Sequence, residues 1–310
     1  MKKVFIDGSA GTTGLRIYER LTERNDITLI KLDESVRKDP AARKKALNEA
    51  DVAFLCLPDD AAREAVSMIE NDNTVVIDTS TAHRTLDGWT YGFPELSSNR
   101  AESLKSAKRI AVPGCHASGF ISLVYPLIEA GIISPDTLLT CHSITGYSGG
   151  GKKMIADYES DDMPATYTAP RQYALGQSHK HLKEMSAVTG LKNAPIFCPI
   201  VSDFYSGMCV TVPLFKEQLL GRFSLDDIKK VYKNKYTGPV VTYTEDSSEN
   251  GFLSAAGLSH KDSMQVCVYG NDDRIILTAL YDNLGKGASG AAVECLNYVL
   301  GTDIVTGLEL

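Results

Sequence analysis

Short apolar runs and helical stripes alternate through the first third of the chain. Val4-Phe5-Ile6-Asp7 reads as a buried strand, and Leu15, Tyr18 and Leu21 then recur at helical spacing. Ile27 to Leu32 predicts a second strand, Pro40 to Ala50 a helix and Val52 to Leu57 a third strand. Ala61 to Ile69 predicts another helix and Thr74 to Asp78 a fourth strand. Alternation at this interval predicts an α/β fold with a doubly wound parallel sheet. Ligands of such a sheet bind at the edge where strand ends feed helix starts. Further on, Leu138 to Ile144, Ile196 to Val201, Cys209 to Leu214, Val240 to Thr244, Met264 to Tyr269 and Arg274 to Tyr281 read as strands. Several alternate polar with apolar, as in an antiparallel sheet with one covered face.

Composition narrows the class. At 310 residues the chain can build two cores. A net charge of −7 argues against a nucleic-acid surface. Seven cysteines, an odd count without close CxxC pairs, argue against a disulfide framework or a zinc ribbon, and no metal is expected. They point to a reducing, cytoplasmic setting. No apolar run approaches the length of a membrane span, and the first residues carry no signal-peptide stretch.

Gly8-Ser9-Ala10-Gly11-Thr12-Thr13-Gly14 sits between the first strand and the first helix. Glycines there let the main chain approach a pyrophosphate, which rests on the helix N-terminus. The spacing is GxxGxxG rather than GxGxxG, so a plain tight turn is the bland alternative. Cofactor choice stays open at this level. Asp33 and Glu34 follow the second strand and would suit a free ribose hydroxyl. Ser9, Arg37 and Lys38 could instead meet a 2′-phosphate.

Cys115 follows Val112-Pro113-Gly114, where a short strand ending at Val112 feeds a stripe of Ile121, Val124, Leu127 and Ile128. A cysteine is more often a small buried hydrophobe than a nucleophile. The other six fit that role, lying in apolar runs. Cys115 alone stands at a strand-to-helix junction, where main-chain N–H groups and the helix dipole favour thiolate. A thiolate beside a nicotinamide can interconvert an acyl group and an aldehyde, given a proton-transfer group nearby. Among six histidines, His179 and His181, followed by Glu184, form the densest cluster. The glutamate could orient a ring or cap the helix.

Six segments in order resemble one family. GSAGTTGL, DTSTAHR, GWTYGFPEL, AVPGCHASGF, HKHLKEM and DNLGKGASGAAVECLN are similar to N-acetyl-gamma-glutamyl-phosphate reductases of the shorter (type 2) class, over essentially the whole chain. The more distant relatives are aspartate-semialdehyde and glyceraldehyde-3-phosphate dehydrogenases. The resemblance implies an NAD(P)-binding domain plus an α+β substrate and dimerisation domain. It implies reduction of N-acetyl-gamma-glutamyl phosphate with NADPH, giving N-acetylglutamate semialdehyde, orthophosphate and NADP, in arginine biosynthesis. Carried over, Cys115 is the nucleophile and His179 and His181 the acid/base element. Gly8, Gly11 and Gly14 match the pyrophosphate loop, with Thr12 and Thr13 at the helix start, and the second glycine-rich loop, with Asn283 and Gly287, is expected beside the nicotinamide. Ser9, Arg37 and Lys38 join the expected cofactor site as the 2′-phosphate partners read from the residues themselves.

Residues 284–310 should rejoin residues 1–114 in the nucleotide domain, leaving 115–283 for the second. A homodimer or homotetramer is expected. Where the family often has Tyr after the cysteine, this chain has His116, a possible second proton carrier. The loop Gly146 to Lys153 is a candidate grip for phosphate or carboxylate. Arg84, Lys152 and Arg171 are the candidate substrate cations, with Arg84 preferred because it ends the run after the fourth strand. Two other functions compete. One is a related acyl-phosphate reductase of the aspartate-semialdehyde dehydrogenase type. The other is a non-catalytic nucleotide-binding regulator, disfavoured because this chain keeps both the cysteine and the histidines.

Overall fold

A computed structural model describes residues 1–310. The chain divides into two units, Met1–Pro113 with Ala288–Leu308, and Gly114–Gly287 with the last two residues.

The first unit begins with β1 (Lys2–Asp7), α1 (Thr12–Thr22), β2 (Ile27–Ile30), α2 (Pro40–Glu49), β3 (Val52–Leu55), α3 (Asp59–Ser67) and β4 (Val75–Asp78). It continues through β5 (Thr90–Tyr91), α4 (Ser98–Ser106) and β6 (Arg109–Ala111). All strand pairs are parallel, in the order β2-β1-β3-β4-β6-β5. Both faces are covered, which is why the strands read as continuous apolar runs. Side chains alternate between faces: Val4, Ile6, Val52 and Phe54 enter one core, and Phe5, Ala53 and Leu55 the other. The order reverses between β1 and β3, so the crevice for a ligand opens at Asp7 and Leu55.

The helical register of α1 differs from the sequence stripe. Its buried residues are Gly14, Ile17 and Leu21, while Leu15 is 48% exposed and Tyr18 half-buried. Gly14 has no side chain to hold the helix off β1, so the contact face shifts toward it. α2 is pinned by Asp39, which accepts the Ala42 N–H at 2.8 Å, and by Pro40 in its first turn.

The second unit holds α5 (Cys115–Glu129), β7 (Thr140–Gly146), α6 (Gly151–Tyr158), β8 (Arg171–Gln172), α7 (His181–Thr189), β9 (Ile196–Ser202) and β10 (Met208–Phe215). α8 (Leu225–Lys235), β11 (Val241–Tyr243), β12 (Met264–Gly270) and β13 (Arg274–Tyr281) complete it. The sheet runs β11-β12-β13-β10-β7-β9-β8. It is mixed rather than purely antiparallel: β7–β9 and β11–β12 pair parallel. The β7-to-β9 link contains α6 and α7, the long crossover that a parallel pair requires. α5 packs on β10 and β13, and α8 on β12. On the opposite face the chain around Ser247 covers β12, meeting Gln265, Cys267 and Tyr269, and Cys267, Thr278 and Leu280 are buried, while Ile144, Phe215 and Ile276 stay exposed.

The chain then makes a π-helical turn (Gly285–Ser289) and α9 (Gly290–Leu300), whose Ala291, Ala292, Val293, Cys295 and Leu296 enter the first core of unit one. The segment expected to be a loop is therefore a short turn at Asn283 and Leu284 followed by helix from Gly285 onward.

Candidate active site

In the first unit, the crevice at the β1/β3 reversal is a cleft of about 470 Å³. Gly8, Ser9, Gly11, Arg37 and Lys38 line it. Thr12, Thr13 and Gly14 form the first turn of α1 behind this lining. Gly8 is obligatory: its φ is +88°, and a Cβ would stand 2.3 Å from the Cys56 carbonyl oxygen. α1 starts at Gly11 with no side chain capping it, so its first N–H groups face an incoming anion unopposed. Asp33 and Glu34 do not line the cleft. Glu34 instead lies 3.3 Å from Arg37 on the surface. The lining therefore carries the cations Arg37 and Lys38 and neither of these acids.

Several cleft residues carry no signal in the sequence. Arg43 reaches from α2 into the cleft and grips Asp7 with Nε and Nη2 at 3.0–3.3 Å, while Nη1 meets Glu64 at 3.0 Å. Burial pushes the Asp7 carboxyl up, with Arg43 pulling against it. Lys31 and Tyr18 also line the cleft, the ammonium 5.0 Å from the ring centroid. Cys56, expected to be core, lines the cleft half-buried, yet burial pushes its thiol up to about 12. It stays protonated and unreactive at neutral pH.

In the second unit, Cys115 is the first residue of α5, half-buried, behind the N-cap Gly114. Glu184, buried on α7, accepts the Gly114 N–H at 2.8 Å. Of the two uses foreseen for this glutamate, the structure shows capping, applied to the neighbouring helix rather than its own. Tyr281 donates its hydroxyl to the Cys115 carbonyl oxygen at 2.5 Å. Gly287 lies against the cysteine: a Cβ there would stand 3.0 Å from the Cys115 Cβ.

His116, His179 and His181 gather in one cluster. The His116 ring is 5.8 Å from His179, 5.6 Å from His181 and 5.2 Å from Phe197, and His179 is 4.7 Å from His181. His116 is fully engaged, with Nδ1 at 2.7 Å from Ser143 Oγ and Nε2 at 2.6 Å from Tyr173 Oη. A neutral imidazole has one donor and one acceptor, and two hydroxyls satisfy both. Burial, then the nearby His179, pushes His116 down to about 3. Burial and the two hydroxyl partners thus favour the neutral ring. His179 is half-exposed, and its Nδ1 accepts the His181 N–H at 3.2 Å, so the neutral ring carries its proton on Nε2. Burial, then Lys180, pushes His179 below its ordinary value. His181 opens α7 and is buried.

Three expected ligand contacts find other partners. Arg84 spends Nε on the Val112 carbonyl and Nη2 on the Thr79 carbonyl, both at 2.9 Å, pinning the ends of β6 and β4. Arg171 lies 3.3 Å over the Tyr167 ring and donates twice to Tyr158 Oη. Asn283 is buried, its Oδ1 accepting the Gly207 N–H at 2.9 Å and its Nδ2 donating to Ser148 Oγ at 3.0 Å. These contacts tie each of the three groups to the fold. Lys152 remains exposed at the start of α6, where a turn and a helix stand in place of the expected loop.

Two family models match the chain. The semialdehyde dehydrogenase NAD binding domain covers residues 14–104, and the semialdehyde dehydrogenase dimerisation domain covers residues 115–283. Among solved structures, aspartate semialdehyde dehydrogenase II of Vibrio cholerae aligns with TM-score 0.72 at 14% identity, over 97% of this chain and 98% of that one. The Francisella tularensis aspartate semialdehyde dehydrogenase gives 0.73 at 12%, over 97% and 100%. The fold and the thiol at a helix start define a protein of the semialdehyde dehydrogenase class. Sequence identity narrows this further. N-acetyl-gamma-glutamyl-phosphate reductase 2 of Nostoc sp. is 44% identical over 318 aligned residues, 99% of each chain. The N-acetyl-gamma-glutamyl-phosphate reductase of Sinorhizobium medicae is 42% identical over 305, covering 96% of this chain and 98% of its own. The chain belongs to the N-acetyl-gamma-glutamyl-phosphate reductase family.

Proposed function

We propose that this protein reduces N-acetyl-gamma-glutamyl phosphate to N-acetylglutamate semialdehyde and orthophosphate with NADPH, a step of arginine biosynthesis. The observation that carries this reading is Cys115 at the first position of α5, with the histidine cluster packed around the residue that follows it. The Cys115 thiolate attacks the acyl carbon. The C–O bond to phosphate breaks, orthophosphate leaves with that electron pair, and a thioester remains. N–H groups at the start of α5 hold the oxyanion. NADPH, when bound, supplies the hydride that reduces the acyl group to the aldehyde level. The C–S bond then breaks, returning the electron pair to sulfur. His179 and His181 take the proton that leaves the thiol and pass it to the departing phosphate oxygen, and a proton from solvent restores the thiol after the C–S bond breaks. His116 keeps its neighbours in place.

The nucleotide fits the first unit, where an uncapped helix start, a glycine turn and two cations line the cleft. We assign Met1–Pro113 with Ala288–Leu308 to nucleotide binding and Gly114–Gly287 to catalysis and assembly. The exposed part of that sheet face presents Ile144, Ile196, Pro213, Phe215 and Ile276, brought to one side by the strand registers. We place a second copy of the chain there, giving a homodimer or homotetramer. No helix is long and apolar enough to cross a membrane. Seven free thiols suit a reducing compartment such as the cytoplasm.

The test is a reductase assay with N-acetyl-gamma-glutamyl phosphate and aspartyl phosphate, each with NADPH and NADH. Turnover is expected with the first substrate and NADPH. Preference for aspartyl phosphate would move the protein to the other branch of the class, and no turnover with either would favour a nucleotide-binding regulator.

A further inference from the structure

Three buried phenols brace the helix that carries Cys115. Tyr232 donates to the Leu123 carbonyl at 2.5 Å and Tyr236 to the Ser122 carbonyl at 2.6 Å, both near the middle of α5. Tyr281 meets the turn that holds the thiol, and its contact is double. Its hydroxyl donates to the Cys115 carbonyl at 2.5 Å and accepts the Gly119 N–H at 3.1 Å. A carbonyl and the N–H four residues on are the pair that closes a helical turn. The phenol therefore straddles the closure of the first turn.

The surroundings are built for this contact. Tyr281 is fully buried at the end of β13 and paired on both sides, with Met208 and with Met264. Room for the hydroxyl comes from a missing side chain: a Cβ on Gly119 would stand 2.7 Å from Tyr281 Oη and 2.6 Å from the Val210 side chain. Burial, with the neighbouring Cys115 acting the same way, holds the phenol well above its ordinary pKa, so the proton it donates is always present. A hydroxyl donating into the Cys115 carbonyl offsets the partial negative charge that the carbonyl sets beside its own sulfur. It also polarises the first turn and fixes the main chain from which the thiol hangs.

We infer, taking Cys115 as the nucleophile as proposed above, that Tyr281 is a positioning residue. Its hydroxyl, straddling the Cys115 carbonyl and the Gly119 N–H, sets the place and ionisation of the thiol without touching substrate. Tyr232 supplies a matched control, because it makes an equally short phenol-to-carbonyl bond on the same helix, far along from the thiol.

The experiment compares Tyr281→Phe and Tyr232→Phe with the parent protein, following iodoacetamide alkylation of Cys115 across a pH series, and kcat and KM separately. Tyr281→Phe is expected to slow alkylation at neutral pH by about five- to tenfold, the scale of one lost hydrogen bond. Its alkylation midpoint should move to higher pH, and kcat should fall by a similar factor with KM unchanged. Tyr232→Phe should lower the thermal midpoint while leaving alkylation and kcat alone. A parental alkylation profile in Tyr281→Phe overturns the inference, as does equal slowing in Tyr232→Phe. Slowed alkylation with intact kcat would keep the role of Tyr281 and overturn instead the assignment of Cys115 as nucleophile.

Discussion

Glu184 accepts the main-chain N–H of Gly114 at 2.8 Å, tying α7 to the residue immediately before the candidate nucleophile. The histidine helix and the thiol helix are thereby held by one buried carboxylate. Glu184→Gln keeps an oxygen that can accept this bond, whereas Glu184→Ala leaves the Gly114 N–H without it. Urea unfolding should show Glu184→Ala less stable by about 1–3 kcal/mol, the usual cost of a buried donor left unmade, and Glu184→Gln closer to the parent. Equal losses in both would mean that charge, not hydrogen bonding, is what the position requires.

His116 makes stability depend on pH. Its folded-state pKa lies near 3, against about 6.5 for an unperturbed histidine, so the unfolded chain takes up the proton first as pH falls. The contribution is intact above about pH 6.5 and is lost progressively as pH falls toward about 3, at up to about 1.4 kcal/mol per pH unit. His116→Gln removes this dependence. Its unfolding free energy should fall less steeply than the parent's over that window, even if it starts lower at neutral pH. Parallel slopes for the two proteins would show that His116 is not the buried neutral group described here.

How much of this was legible in the sequence depends on chain separation. Cys115 stood out because Pro113 and Gly114 mark a strand-to-helix junction within a few residues of it. The glycine turn after β1 and the His179/His181 pair were equally local. Glu184 and Gly114, or Tyr281 and Cys115, are far apart along the chain and meet only through the folded sheet. No periodicity announces such pairs. α4 went unseen for a different reason: of its nine residues only Leu104 is buried, so there is no apolar stripe. Arg84 and Asn283 sat in recognisable motifs, but their side chains are spent on pinning main chain and neighbouring side chains.

Cofactor preference follows from the cleft lining. Arg37 and Lys38 border it, and the Arg37–Glu34 contact is solvent-exposed, so Arg37 can turn to a phosphate at little cost. Charge-assisted bonds to a 2′-phosphate correspond to about tenfold or greater preference for NADPH over NADH. Arg37→Ala should shrink that ratio mainly by raising the KM for NADPH, and Asp33→Ala should leave it unchanged. Initial rates at limiting cofactor decide this. Equal use of both cofactors by the parent would place the acids, not the cations, at the ribose.

The central claim is that Cys115 carries the acyl group. Protein exposed briefly to N-acetyl-gamma-glutamyl phosphate without NADPH, quenched in acid and mapped by peptide mass spectrometry, tests it directly. The N-acetylglutamyl mass should appear on the peptide containing Cys115 and be absent from the Cys115→Ser protein. An adduct on Cys56 or Cys198 instead, or reductase turnover by Cys115→Ser close to the parent's, would contradict the account.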